Sequence, residues 1–247
     1  MKQKSVENVQ SLIEALQEDQ ADYGGSVWYR GQAHHDWPLL PGYLRLDGRI
    51  SESTLMKRFK QSASMLLDRD PKDSFDWLFL MQHYGLPTRL LDWSESPLVA
   101  LYFAIDDSVK HADHDAAVWC LRPSELNKNA NIFADEEFFI PSFEDEELKS
   151  YSIERLGQER RVKQLPVATI ATRNNARIQA QLGVFTIHHL DDRPIEAIGN
   201  QNHVIKYTIP AASRTNLLEQ LRLLGVSKFS MFPELGSIGA FIHKGLA

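Results

Sequence analysis

Gly85-Leu86-Pro87-Thr88-Arg89-Leu90-Leu91-Asp92-Trp93-Ser94-Glu95-Ser96-Pro97 changes backbone conformation three times. Gly-Leu-Pro ends a helix expected over 74–83, because proline has no amide hydrogen to give and the residue before it avoids the helical region. Thr88 to Trp93 then reads as a short strand emerging into a polar loop. Ser96 is placed to cap the next helix and Pro97 to occupy its first position. Leu98, Val99, Leu101, Tyr102, Phe103 and Ile105 follow as a largely buried helical run. The order helix, turn, strand, loop, helix gathers ionisable and aromatic groups beside a rigid bend, which is where scaffolds usually display a site. Arg89 and Asp92 stand three apart in an extended run, so their side chains point to opposite faces and each needs another partner.

Upstream, Val27-Trp28-Tyr29 suits a buried strand and leads into Arg30-Gly31-Gln32. A guanidinium is not neutralised by burial, so Arg30 needs either one of the chain's own carboxylates or an anionic ligand. That makes Arg30 the first candidate anchor. Val6, Val9, Leu12, Ile13 and Leu16 recur at helical spacing, and a second helix is expected over 52–68. Later strands are expected over 116–121, 167–172, 184–188 and 203–209, and Leu217, Leu218, Leu221 and Leu224 mark a late helix. Helices clustered early and strands spaced irregularly afterwards argue for an α+β class. The expectation is a single domain over 1–247, with an acidic, Phe-rich insertion or lid over 131–164, a segment that equally suits a solvated face.

The 247 residues are 43% hydrophobic, enough for a sizeable core. No apolar run approaches membrane-spanning length, and the opening residues lead into an amphipathic segment, so a cytoplasmic protein without a membrane partner is expected. Cys120, a lone cysteine in an expected strand, reads as a core thiol in a reducing compartment. Net charge is −6, and the stretch 135–147 alone holds seven carboxylates with no lysine or arginine. The rest of the chain is close to neutral, which offers no broad basic field and disfavours nucleic acid as a partner.

Rival chemistries are weaker on their residues. His83, Ser94 and Asp92 could form a hydrolase triad, yet no Gly-x-Ser-x-Gly elbow surrounds the serine. His34-His35-Asp36, His111 with His114 and Asp115, and His188-His189 with Asp191 invite a metal reading. Adjacent histidines in an extended segment point apart and no His-Glu-x-x-His helix is present, so solvated loop histidines and no metal are expected. Trp28, Trp77, Trp93 and Trp119 read mainly as core aromatics.

Tyr29-Arg30-Gly31, the run from Gln82 to Trp93, and Pro97-Leu98-Val99-Ala100-Leu101-Tyr102-Phe103-Ala104 together resemble the FRG domain family, named for its Phe/Tyr-Arg-Gly motif. The resemblance extends to Arg177-Ile178-Gln179-Ala180-Gln181-Leu182-Gly183-Val184-Phe185 and Phe232-Pro233-Glu234-Leu235, so it covers roughly residues 20–240. More distantly, the order of an aromatic-Arg-Gly strand, a strand ending in a hydroxyl residue and a Val-Ala-Leu-Tyr-Phe-Ala helix is similar to the arginine-serine-glutamate class of ADP-ribosyltransferases. That resemblance implies a split, twisted sheet surrounded by helices, with NAD as substrate and an unidentified macromolecular acceptor. By carry-over Arg30 would hold phosphate or ribose, Ser94 or Ser96 would support the nicotinamide end, and Gln181 stands nearest the expected glutamate, with Glu234 as the alternative carboxylate. Tyr29, Gly31, Gln32, His83, Tyr84, Thr88, Arg89, Asp92, Trp93 and Ser96 complete the expected ligand-binding set. A glutamine can hydrogen-bond a ribose but carries no charge to stabilise an oxocarbenium-like centre. A non-catalytic nucleotide- or protein-binding module is therefore the alternative, and the family resemblance implies bacterial conflict or phage defence as the setting.

Overall fold

A computed structural model describes residues 2–46, 50–67, 71–106, 111, 113–158, 163–172 and 176–233. In chain order the elements are β1 (Lys2–Ser5), α1 (Val9–Gln20), β2 (Trp28–Gln32), α2 (Glu52–Ala63), α3 (Ser74–His83), β3 (Leu90–Ser94), α4 (Pro97–Ile105), β4 (Ala116–Leu121) and α5 (Pro123–Asn129). They continue with α6 (Ile153–Gln158), β5 (Val167–Thr169), α7 (Ala176–Ala180), β6 (Gly183–Ile187), β7 (Val204–Ile209), α8 (Arg214–Leu223) and α9 (Lys228–Met231). The fold is α+β, as expected, and the seven strands among the described residues form one open sheet in the order β1-β7-β4-β2-β3-β6-β5. Only β1 and β7 run parallel; every other neighbouring pair is antiparallel. None of the described helices is long and apolar enough to cross a membrane.

Local chemistry sets the helix starts. Asn8 and Ser11 form a reciprocal capping box on α1, Asp73 caps α3, and the Ser96 hydroxyl accepts from the Val99 amide at the start of α4. Gly85, at φ 79°, takes the left-handed conformation that follows α3 and turns the chain towards β3. Three apolar clusters follow from this arrangement. One packs α1, α4 and α8 on β2, β4 and β7; a second lies around Trp28, Trp93 and Trp119; a third joins α2 and α3 to β3, β5 and β6. Segment 131–164 contributes Phe143, Leu148 and Tyr151 to that third cluster. Cys120 is buried in β4, where desolvation pushes its thiol up to about 12, as befits a core thiol.

The sheet is weakest at its middle. Five register pairs join β2 to β4, from Trp28↔Leu121 to Gln32↔Ala117, and five join β3 to β6. A single pair, Tyr29↔Ser94, joins β2 to β3. Past that pair the two strands are not laddered, so the backbone from Arg30 onward and the backbone before Ser94 face a gap. Helix α4 closes one side of it against Gly31, where an added Cβ would stand 1.9 Å from the Ala100 carbonyl oxygen and 2.5 Å from the Ala104 nitrogen. Only glycine admits the helix that closely.

Candidate functional site

The gap opens into a cavity of about 360 Å³. Arg30 lines it, and its Nη1 donates to the Asp92 carbonyl oxygen at 2.6 Å, bridging the unladdered strands. Its Nε is buried with no partner, and among the described residues Arg30 forms no ion pair. Burial pulls its pKa below the ordinary guanidinium range; the Asp92 carboxylate opposes that pull and Arg45 adds to it. The guanidinium stays charged and lacks a carboxylate to neutralise it.

Asp92 lies across the cavity with an exposed carboxylate that accepts from Gln82 Nε2 at 2.8 Å. Gln82 is held in turn by the Thr88 hydroxyl, which donates to its Oε1 at 2.6 Å. At the paired end, the Ser94 hydroxyl donates to the Gln181 carbonyl at 2.7 Å and accepts from the Ser96 amide at 3.0 Å. The Gln181 side chain donates to the Met231 carbonyl at 3.0 Å. A serine whose proton is committed to a carbonyl is poorly arranged as a nucleophile, and this weighs against the hydrolase triad.

Of the expected residues, Tyr29, Arg30, Gly31, Gln32, His83, Asp92, Trp93, Ser94 and Gln181 all line the cavity. Burial and the Gln20 hydrogen bond hold the Tyr29 phenol away from solvent, and desolvation pushes its pKa up to about 12. Gln32 bonds Trp119 Nε1 and the Pro38 carbonyl, and Trp93 Nε1 donates to the Thr186 hydroxyl.

Four expected residues do not line it. Arg89, only 2% exposed, pairs with Glu52 at 2.6 Å and donates to the His188 and Tyr151 carbonyls, so it is an interior cation tying α2 to β3. Thr88 is fully buried and acts through Gln82, Ser96 serves as the α4 cap, and Tyr84 faces solvent beside Phe59. Glu234 lies outside the described residues.

The histidine expectations need two corrections. His188 and His189 are fully buried rather than solvated, because β6 carries them into the interior beside Arg89 and Tyr151. His34 and His35 do not point apart: their rings stack with centroids 5.5 Å apart and 5° between planes. The strand has ended at Gln32, so the two-residue alternation of extended backbone no longer applies there.

The cavity also recruits residues outside the expected ligand-binding set. Trp37 comes from the irregular segment after β2 and Arg45 from the 3₁₀ turn Gly42–Arg45, Phe79 and Gln82 from α3, Phe103 from α4 and Arg177 from α7. Arg177 lies 4.7 Å over the Phe232 ring, a contact that holds its guanidinium at the wall. Its place in the 177–185 motif was the available signal; Arg45 and Trp37 had none, since only the tertiary path of 33–45 brings them to the strand gap.

Lined by Arg30, Arg45 and Arg177 against the single described carboxylate Asp92, and walled by Trp37, Phe79, Trp93 and Phe103, the cavity favours a ligand both anionic and flat. No curated protein and no solved structure matches the chain. Residues 25–113, which carry β2, α2, α3, β3 and α4, match the family model of the FRG domain.

Proposed function

We propose that the cavity between β2 and β3 binds a dinucleotide, NAD, and that the chain is an ADP-ribosyltransferase-like enzyme that transfers ADP-ribose or cleaves NAD. The observation that carries this reading is the unneutralised Arg30 at the cavity wall, joined there by Arg45 and Arg177. Three guanidinium groups suit the pyrophosphate, whose oxygens accept paired N–H bonds. The aromatic walls suit a nicotinamide or adenine ring. A volume of about 360 Å³ lies near the lower end of ligand pockets, so it takes one end of a dinucleotide while the other leaves through the mouth.

In this reading the glycosidic bond breaks with its electron pair leaving on nicotinamide, and water or an acceptor adds to the sugar carbon. The enzyme's work is to grip phosphate, exclude bulk water and stabilise positive charge on the sugar. Arg30 grips phosphate or ribose. Ser94 fixes Gln181 at the paired end of the strands, where its amide would orient the ribose hydroxyls. Asp92, steadied by Gln82, supplies the negative charge that Gln181 lacks.

The neutral Gln181 and the committed Ser94 proton favour a second reading, a binding module that holds a nucleotide without turning it over. Chromatography of the chain incubated with NAD separates the two. Nicotinamide release that Arg30→Ala abolishes and Asp92→Asn lowers, with melting temperatures close to the parent's, supports the enzyme. A melting-temperature rise with NAD or ADP-ribose but no release supports the module. Neither release nor a shift contradicts both.

A further inference from the structure

We infer that His34, His35 and Asp36 form a site for a borderline-soft divalent metal ion of the zinc class, beside the mouth of the cavity. This inference does not depend on the proposed dinucleotide function. The ligand atoms of these three residues all lie within 4.8 Å of one another. His35 Nε2 and Asp36 Oδ1 are 3.0 Å apart. Tetrahedral ligands held at about 2.0–2.1 Å from zinc lie about 3.3 Å apart, so this pair is already close to a ligating separation. Two imidazoles and one carboxylate are the donor set of an open zinc site, and imidazole selects against magnesium and calcium.

Two more imidazoles stand within reach. The His114 ring centroid is 4.5 Å from that of His34, and His111 lies 6.0 Å from His34 and 6.1 Å from His114. His114 is the nearer candidate for a fourth ligand.

The two histidine-bearing segments are held together from behind. Arg214, 7% exposed, donates to the Ala33 carbonyl just before the triplet and to the His114 carbonyl at 2.9 Å. The His35 amide donates to the Asp115 carbonyl at 2.8 Å, and the Lys206 ammonium donates to the His35 carbonyl. Such backbone anchoring pre-organises ligands that a loop would otherwise leave free. Two contacts compete: the His35 Nε2–Asp36 Oδ1 pair at 3.0 Å gives way to the shared ion, and His34 Nδ1 accepts from the Asp36 amide at 3.2 Å, a contact that coordination through that nitrogen would replace. Trp37 joins the two sites, since it lines the cavity and its ring lies 5.0 Å from that of His111 and 6.0 Å from that of His34.

The test is calorimetric titration of the untagged chain with zinc chloride, paired with visible spectra of the cobalt(II) form. The expected result is one zinc bound per chain and d–d absorption of a four- or five-coordinate cobalt centre. His34→Ala and Asp36→Asn, both changes on a partly exposed loop, each weaken zinc at least about tenfold. His83→Ala leaves zinc affinity unchanged. Absence of stoichiometric binding by the parent, or affinity undiminished in both loop variants, overturns the assignment.

Discussion

Arg30 and Arg89 show how burial and partners divide one residue type into two roles. Arg89 is sealed against Glu52 and two backbone carbonyls, whereas Arg30 has a single carbonyl and an orphaned Nε at a cavity wall. Glu52→Ala strands a guanidinium in the interior and should cost about 3–5 kcal/mol in denaturant unfolding. Arg30→Ala removes one hydrogen bond and should cost only about 1 kcal/mol by the same measurement. His188 adds a pH signature. Burial pulls it down to about 4 and pulls His203 in the same direction, while the unfolded imidazole titrates near 6.5. Below that pH the unfolded chain binds more protons, so the His188 contribution is complete above about pH 6.5 and falls towards pH 4 by up to about 1.4 kcal/mol per unit, with His203 acting in the same direction. The urea midpoint should be lower at pH 5 than at pH 7, and His188→Gln should shrink that difference. An equal midpoint at both pH values would contradict the assignment of neutral buried histidines.

Among the elements, β2, β3 and α4 together make the cavity. The Arg-Gly pair does two jobs: the arginine reaches across the strand gap, and the glycine lets α4 lie against the sheet. Gly31→Ala would drive a methyl group into the α4 backbone rather than into a yielding side chain. Overpacking of this kind costs roughly 1–3 kcal/mol or more, so a thermal scan should show a drop of several degrees or loss of soluble protein. Much at this scale could be read from the chain. Helix 74–83 and strand 116–121 have the expected bounds, because Asp73, the Gly-Leu-Pro break and an unbroken apolar run mark them. Strand β1 was missed because Lys2-Gln3-Lys4-Ser5 has no apolar alternation; it is a polar edge strand held by parallel pairing to β7. The strand expected over 167–172 is shorter in the structure, where β5 stops at Thr169.

At the scale of the whole molecule, the sheet order leaves sequence neighbours apart and brings distant segments together. β2 sits between β4 and β3, and the cavity takes residues from Tyr29 to Phe185. Of the cavity residues, Arg30 was legible because a guanidinium in a buried strand needs a partner, Asp92 because it faces away from Arg89 in an extended run, and Ser94 through the family resemblance. Arg45 and Trp37 were not, because the bends and single 3₁₀ turn of 33–45 are too short to give a period from which to project a side chain. The stacked histidines escape the same way, because the two-residue alternation of extended backbone stops at the end of β2. The excess of arginine in the cavity also implies salt sensitivity, since a desolvated anion site binds less tightly as screening rises. The most direct measurement is calorimetric titration of ADP-ribose into the parent chain and into Arg30→Ala at low and moderate salt. An open, unneutralised Arg30 predicts binding by the parent that weakens with salt and falls at least about tenfold in the variant. Equal affinity in the two proteins, or no binding by the parent, would contradict it.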